Sequence, residues 1–177
     1  MSERLSENHN FMISTRFATI ADITTILELI KLKSEFDGFP DSVKASPELL
    51  EKGLFSNPPQ AQVLFAELDG QVIGMASFHN HYSTFLARPG IWLDDLFIRD
   101  RYRSLGAGEA LMIRLAEICL AHGGARIEWS TAARNSLGIK FYERIGSVIF
   151  QGSRLTRLSE DALIRLAGLS ESERRAQ

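Results

Sequence analysis

Arg99, Arg101 and Arg103 stand at alternate positions ahead of Gly106 and Gly108, and the residues that follow have helical apolar spacing. These types in this order suit an anion. Backbone N–H groups at a helix start lie at the positive end of its dipole. The glycines let that backbone approach a ligand with no Cβ in the way, and the arginines add positive charge on the approach. Leu93 to Leu111 therefore reads as a strand, a basic turn and a helix, with the turn a site for a phosphorylated cofactor. A dinucleotide fingerprint needs a third glycine where Leu111 stands. A Walker loop needs Gly-Lys-Ser/Thr where the chain has Gly108-Glu109-Ala110. Both are disfavoured.

Other residues capable of chemistry are scattered. Asp94 and Asp95 alternate to opposite faces of their strand, so one at most faces a given ligand. His79-x-His81 puts two imidazoles on one face, but no third ligand stands nearby, so ordinary polar packing is expected and no metal. Cys119 falls four residues after Leu115 on an apolar stripe and reads as buried packing. Trp92 and Trp129 read first as core.

The elements that must position these groups follow from periodicity. Alternation predicts a strand over Met12–Ala18, with Ile13, Thr15 and Phe17 on one side. Ile23, Ile26, Leu27 and Ile30 predict a helix over Ala21–Lys33, broken by Phe36-Asp37-Gly38-Phe39-Pro40. Ser46-Pro47-Glu48 is a helix start ending near Gly53. Gln62–Leu68 and Gln71–His79 read as a hairpin about Asp69-Gly70, followed by a loop from Asn80 to Gly90 and a strand over Ile91–Ile98. Gly106–Ala121 is the main helix, Arg126–Ser130 the next strand, and Ser136–Arg144 a helix closed by Gly146. Ser147–Arg157 is expected as strand and Ser159–Ala167 as a last helix. Residues 1–10 are expected as a disordered lead, 11–168 as one domain and 169–177 as a flexible tail.

With 177 residues, of which 45% are hydrophobic, the chain can form one full core. A net charge of −2 argues against a nucleic-acid binder, and no apolar run reaches the length of a membrane span. The lone cysteine and the polar N-terminal residues point to a reducing cytoplasm. A homodimer is the one macromolecular partnership left open.

Arg103-Ser104-Leu105-Gly106-Ala107-Gly108 resembles the R-x-x-G-x-G motif of the GNAT (Gcn5-related) N-acetyltransferases. Asn135-Ser136-Leu137-Gly138-Ile139-Lys140-Phe141-Tyr142-Glu143-Arg144-Ile145-Gly146 resembles that family's N-x-x-small-x-x-F-Y-x-x-x-G signature. The element order resembles the family's α/β (α+β) fold, a mixed central sheet flanked by helices. Within the family the likeness is to the spermidine/spermine and thialysine branch. Phe36-Asp37 matches its aromatic-acid pair, and Leu93-Asp94-Asp95-Leu96-Phe97-Ile98 its L-E-D-x-F-V strand. Glu128-Trp129-Ser130 falls on the segment lining its acceptor site. The loop Tyr82–Pro89 lacks the acid of the polyamine enzymes, and Ala132-Ala133-Arg134 replaces an acid-aromatic pair before the asparagine.

The resemblance implies acetyl-CoA as cofactor. Arg103, Ser104, Leu105, Gly106, Ala107, Gly108 and Glu109 would hold its pyrophosphate, and the backbone of Leu96, Phe97 and Ile98 its pantetheine arm. Asn135 would touch the cofactor, and Tyr142 would point at the thioester sulfur. Asp37, Asp94 and Glu128 would form an acidic mouth for a small cationic amine; each is also readable as a plain turn or strand residue. The implied reaction is direct transfer of acetyl to a primary amine, with Asp94 and Tyr142 catalytic. A non-catalytic acyl-CoA-binding domain is the alternative, and it would need neither of them.

Overall fold

The computed structural model describes residues 12–168, so the expected lead and tail lie outside the described residues. These residues form two compact units, one ending at Ser130 and the other starting at Thr131. The first holds a five-stranded sheet in the order β1 (Ile13–Phe17), β2 (Gln62–Leu68), β3 (Gln71–Ser83), β4 (Arg88–Ile98) and β5 (Ile127–Trp129). Neighbours are antiparallel except β4 and β5, which are parallel. A parallel pair needs a crossover, and α3 (Ala107–Ala121) supplies it.

The Asp69-Gly70 hairpin forms as expected. Both residues take positive φ, 49° and 80°, the mirror-image turn that matches strand twist. The expected loop from Asn80 to Gly90 is mostly strand instead. β3 and β4 stay paired out to Ser83 and Arg88, and only residues 84–87 turn. Polar residues on that extension hid the strand, because alternation is legible only where one face is apolar.

The helix α1 (Ile23–Asp37) runs further than expected. Phe36 and Asp37 do not break it; they are its last residues. Gly38 at φ 79° ends it, with Gly38 N–H donating to Glu35 O at 3.0 Å and Phe39 N–H to Ser34 O at 2.8 Å. That bond pair is the Schellman closure. The next helix, α2 (Pro47–Leu54), starts as expected, with Ser46 Oγ accepting from Leu49 N–H.

One face of the sheet packs on α1 through Ile26, Leu29, Val63, Phe65, Met75 and Phe97. On the other, α3 lies across all five strands and buries Leu111, Leu115, Ile118 and Cys119. Cys119 is therefore packing, as expected, and its Sγ lies 3.4 Å from Arg126 O. Trp92 and Trp129 are only half-buried.

The second unit carries α4 (Ser136–Arg144) and α5 (Glu160–Ala167). The strand expected over Ser147–Arg157 does not form: Ser153 N–H donates to Phe150 O across a turn that interrupts the run. Among the described residues it has no ladder partner, and an isolated strand leaves its backbone groups unpaired.

Two arginines, Arg16 and Arg99, brace the first unit through ion pairs. Arg16 donates two bonds to Asp22, at 2.7 and 3.0 Å, and one to Glu67 at 2.8 Å. Its hydrogen bonds hold the Asp22 carboxyl well below its ordinary value of 3.8. Arg99 grips Glu28 at 2.7 and 3.0 Å, tying the end of β4 to α1. A lowered carboxyl stabilises the fold above its unfolded pKa and stops doing so as pH falls through its folded one. Asp22→Asn should therefore cost about 1 kcal/mol at pH 7, the scale of a solvent-screened pair. Urea titrations should show wild type and variant converging as pH drops below 3.8. A gap that persists or widens in acid would contradict this.

Candidate active site

The register of β4 makes the site. Ser77 pairs with Asp95 but Phe78 pairs with Leu93, which leaves Asp94 as an extra, bulged residue. A bulge turns both of its residues toward one side, and the contacts confirm it. His79 Nδ1 lies 2.9 Å from Asp94 Oδ2, and Ser77 Oγ donates to Asp95 Oδ2 at 3.3 Å. Ser77 and His79 lie two residues apart on one face of β3, so Asp94 and Asp95 share that face. The expectation that they point to opposite faces is corrected here: strict alternation fails where a residue is inserted.

The bulge also marks where β5 leaves β4. Their pairing covers Ile91 to Leu93 and stops, so among the described residues β4 has no partner on that side from Asp94 onward. Arg99 N–H donates to Ile73 O at 2.9 Å. Antiparallel bonds alternate, so Phe97 and Asp95 also turn their backbone groups to β3. Leu96 and Ile98 turn theirs to the open edge. This edge can take an extended ligand as an added strand.

The edge runs into the anion site. After a turn of 3-10 helix at Asp100–Tyr102, Ser104 at φ 65° and Gly106 at φ 92° reverse the chain. Ser104 is a non-glycine residue in the left-handed region, a strained conformation concentrated at functional turns. Ala110 N–H makes the first intrahelical bond, to Gly106 O at 2.9 Å, and Gly106 has no side chain with which to cap α3. The first-turn N–H groups, those of Ala107 and Gly108 among them, precede that bond and suit a phosphate. The turn fits a pyrophosphate on this ground.

Arg103 braces the turn. It pairs with Asp100 at 2.7 Å, donates from Nε to Ile98 O at 3.2 Å, and lies 4.5 Å over the Phe36 ring. With its charge already partnered, the pull on an anion comes first from the backbone. Leu105 is exposed and Glu109 lies in the first turn of α3.

The acids expected as one mouth fall into two groups. Asp37 and Asp95 line a cavity of about 300 Å³ beside Ile30, Phe39 and Val43. Lys33 pairs with Asp37 and lies 3.5 Å from Asp95. Asp94 and Glu128 instead face the histidines. His81 Nε2 lies 3.2 Å from Glu128 Oε2, and Arg126 Nε 2.7 Å from the same oxygen, neither aligned as a hydrogen bond. Trp129 and Ser130 follow Glu128 at the end of β5. Phe36 packs against Phe97, with ring centroids 6.4 Å apart, and supports Arg103.

Asp95 and Lys33 line this cavity with Asp37, and neither is among the residues expected at the acceptor site. For Lys33 the signal was its position four residues before Asp37; for Asp95 it was the bulge, which no spacing reveals. Asn135 and Tyr142 belong to the second unit. Asn135 caps α4 by accepting from Gly138 N–H at 2.9 Å, and the Tyr142 ring lies 5.2 Å from that of Phe141.

Comparison with known proteins gives a family. The model described as the acetyltransferase (GNAT) family matches residues 26–146. An L-ornithine N5-acetyltransferase of Arabidopsis thaliana, NATA1, is 32% identical over 150 residues, covering 85% of this chain and 58% of its own length. A thialysine N-epsilon-acetyltransferase of Bos taurus is 28% identical over 167 residues, covering 88% of this chain and 98% of its own. Among solved structures, an integron cassette protein of V. cholerae superposes with a TM-score of 0.72 at 24% identity, covering 88% of this chain and 97% of that one. That last likeness concerns the fold alone.

If the start of α3 binds a pyrophosphate, Gly108→Val puts a branched side chain where the phosphate must approach. The variant should bind CoA at least ~10-fold more weakly by calorimetry, about 1.4 kcal/mol. An unchanged affinity in a folded variant would remove the anion site.

Proposed function

The chain belongs to the GNAT acetyltransferase family, and we propose from that premise that it moves acetyl from acetyl-CoA to a primary amine. The acceptor is a small cationic molecule: a diamine, a polyamine or a thialysine-like amino acid. The observation that carries this reading is the open edge of β4 running directly into the uncapped start of α3. Extended arm and pyrophosphate would there find backbone partners in sequence along one track. The names of the two relatives above, an ornithine and a thialysine acetyltransferase, support an amine acceptor.

When bound, acetyl-CoA supplies an activated thioester. The first turn of α3 would hold the pyrophosphate, and Leu96 and Ile98 would pair with the pantetheine arm. One N–H of this edge would polarise a thioester carbonyl held there, as oxyanion donors do. The family resemblance would have Asn135 contact the cofactor. The amine arrives protonated, with a pKa of ~10, and a carboxylate of pKa ~4 is a poor direct base for it. Asp94 therefore orients the ammonium and passes its proton through water. The family resemblance would make Tyr142 the proton donor to the leaving thiol. The transfer would be direct, in one ternary complex, in a reducing, cytoplasmic setting. Retention of Asp94 and Tyr142 favours turnover over a purely binding role.

Tyr142→Phe tests the assignment, because it removes only the hydroxyl and nearly conserves volume. A positioned acid is worth roughly 10²–10⁴-fold, so kcat should fall at least about tenfold, with CoA affinity and Tm near wild type. The defect should shrink with a donor whose leaving thiol is more acidic. Single-turnover rates equal to wild type would show that Tyr142 is not the acid.

A further inference from the structure

The cavity beside α1 is balanced in charge. Its lining residues include two acids, Asp37 and Asp95, and two lysines, Lys33 and Lys44. Lys33 is the informative one. One helical turn before Asp37, it pairs with that residue and reaches to 3.5 Å from Asp95 Oδ1. Its side chain is only 19% exposed. An ammonium of the chain itself thus already stands between the two carboxylates that a cationic acceptor would seek.

The consequence is electrostatic. A molecule with only ammonium groups finds Asp37 and Asp95 already facing the ammonium of Lys33. To reach Asp37 or Asp95 it must approach Lys33 closely in a partly desolvated space, where like charges repel more strongly than in water. A molecule with a carboxylate beside its ammonium groups meets the reverse. Its carboxylate can take a charge-assisted bond from Lys33 or Lys44, while its ammonium shares the acids.

We infer that Lys33 makes this cavity a charge filter: it admits amine acceptors that also carry a carboxylate, as a short diamino acid does, and disfavours diamines and polyamines. The inference rests on the acetyl-transfer reading above and narrows its acceptor class. Lys33 is a specificity residue and takes no part in the transfer itself.

Ornithine with putrescine, and lysine with cadaverine, are pairs that differ only by the carboxylate. Calorimetry on the CoA-saturated wild-type protein should show the amino acid of the better-fitting pair binding at least ~10-fold more tightly than its diamine, one charge-assisted contact's worth. Amidating that carboxylate should bring the affinity down to the diamine's level. Lys33→Met should narrow the preference at least ~10-fold, in affinity and in kcat/KM. Equal or tighter binding of the diamine by wild type would overturn the inference, as would a folded Lys33→Met protein with an unchanged ratio. Should that variant not fold, the amide comparison on wild type decides alone. Selective binding without turnover of any amine would sink the acetyl-transfer reading and leave the charge filter standing. Turnover without carboxylate selectivity would do the opposite.

Discussion

One inserted residue governs the architecture of the first unit. Asp94 has no partner on β3, and at that point β4 parts from β5. A sheet that continued regularly would satisfy the backbone of Leu96 and Ile98 and present no edge. The bulge leaves that edge open and aims two carboxylates at the α1 face. It also carries the strand into the turn that starts α3. Exposed strand edges are hazards that proteins usually cover. Here the open stretch is short and ends in a helix start, and both features need a ligand of the same extended, anion-tipped shape.

The braces around this opening have a common purpose. Arg99 with Glu28 fastens the end of β4 to α1, and Arg103 stacks on Phe36 while bonding Ile98 O. Gly74 on β3 lets the two strands close up, since a Cβ there would sit 2.5 Å from Phe97 O. Exposed ion pairs contribute little individually, so their value lies in fixing geometry. A site made of backbone groups can be no more accurate than the strand that carries it.

Much of this was legible in the sequence, for physical reasons that differ by element. The Asp69-Gly70 turn, the Ser46 cap and the apolar stripe of α3 are local signals, and each formed where expected. The glycine motif was legible because only glycine tolerates the φ of Gly106 at no cost. What escaped depends on contacts distant in sequence. The extension of β3 and β4 beyond His79 is written in cross-strand pairing, with no apolar alternation to show it. The apolar spacing ends α1 too early, because Phe36-Asp37 resembles a turn until Gly38 closes the helix. The resemblance implies an acidic mouth of Asp37, Asp94 and Glu128, and motif matches do not show that Lys33 pairs with the first of them. Alternation would put Asp94 and Asp95 on opposite faces, but it holds only in regular strands.

The central claim is that the open edge of β4 and the start of α3 together bind CoA through backbone groups. Residue-resolved amide hydrogen exchange of the wild-type protein, with and without saturating CoA, tests it directly, because exchange reports bonding of each N–H. The account predicts slowed exchange at Leu96 or Ile98 and at Ala107 and Gly108. Phe97, bonded to β3 in either state, should change little. Saturating CoA that leaves all four of the former amides unchanged would contradict it.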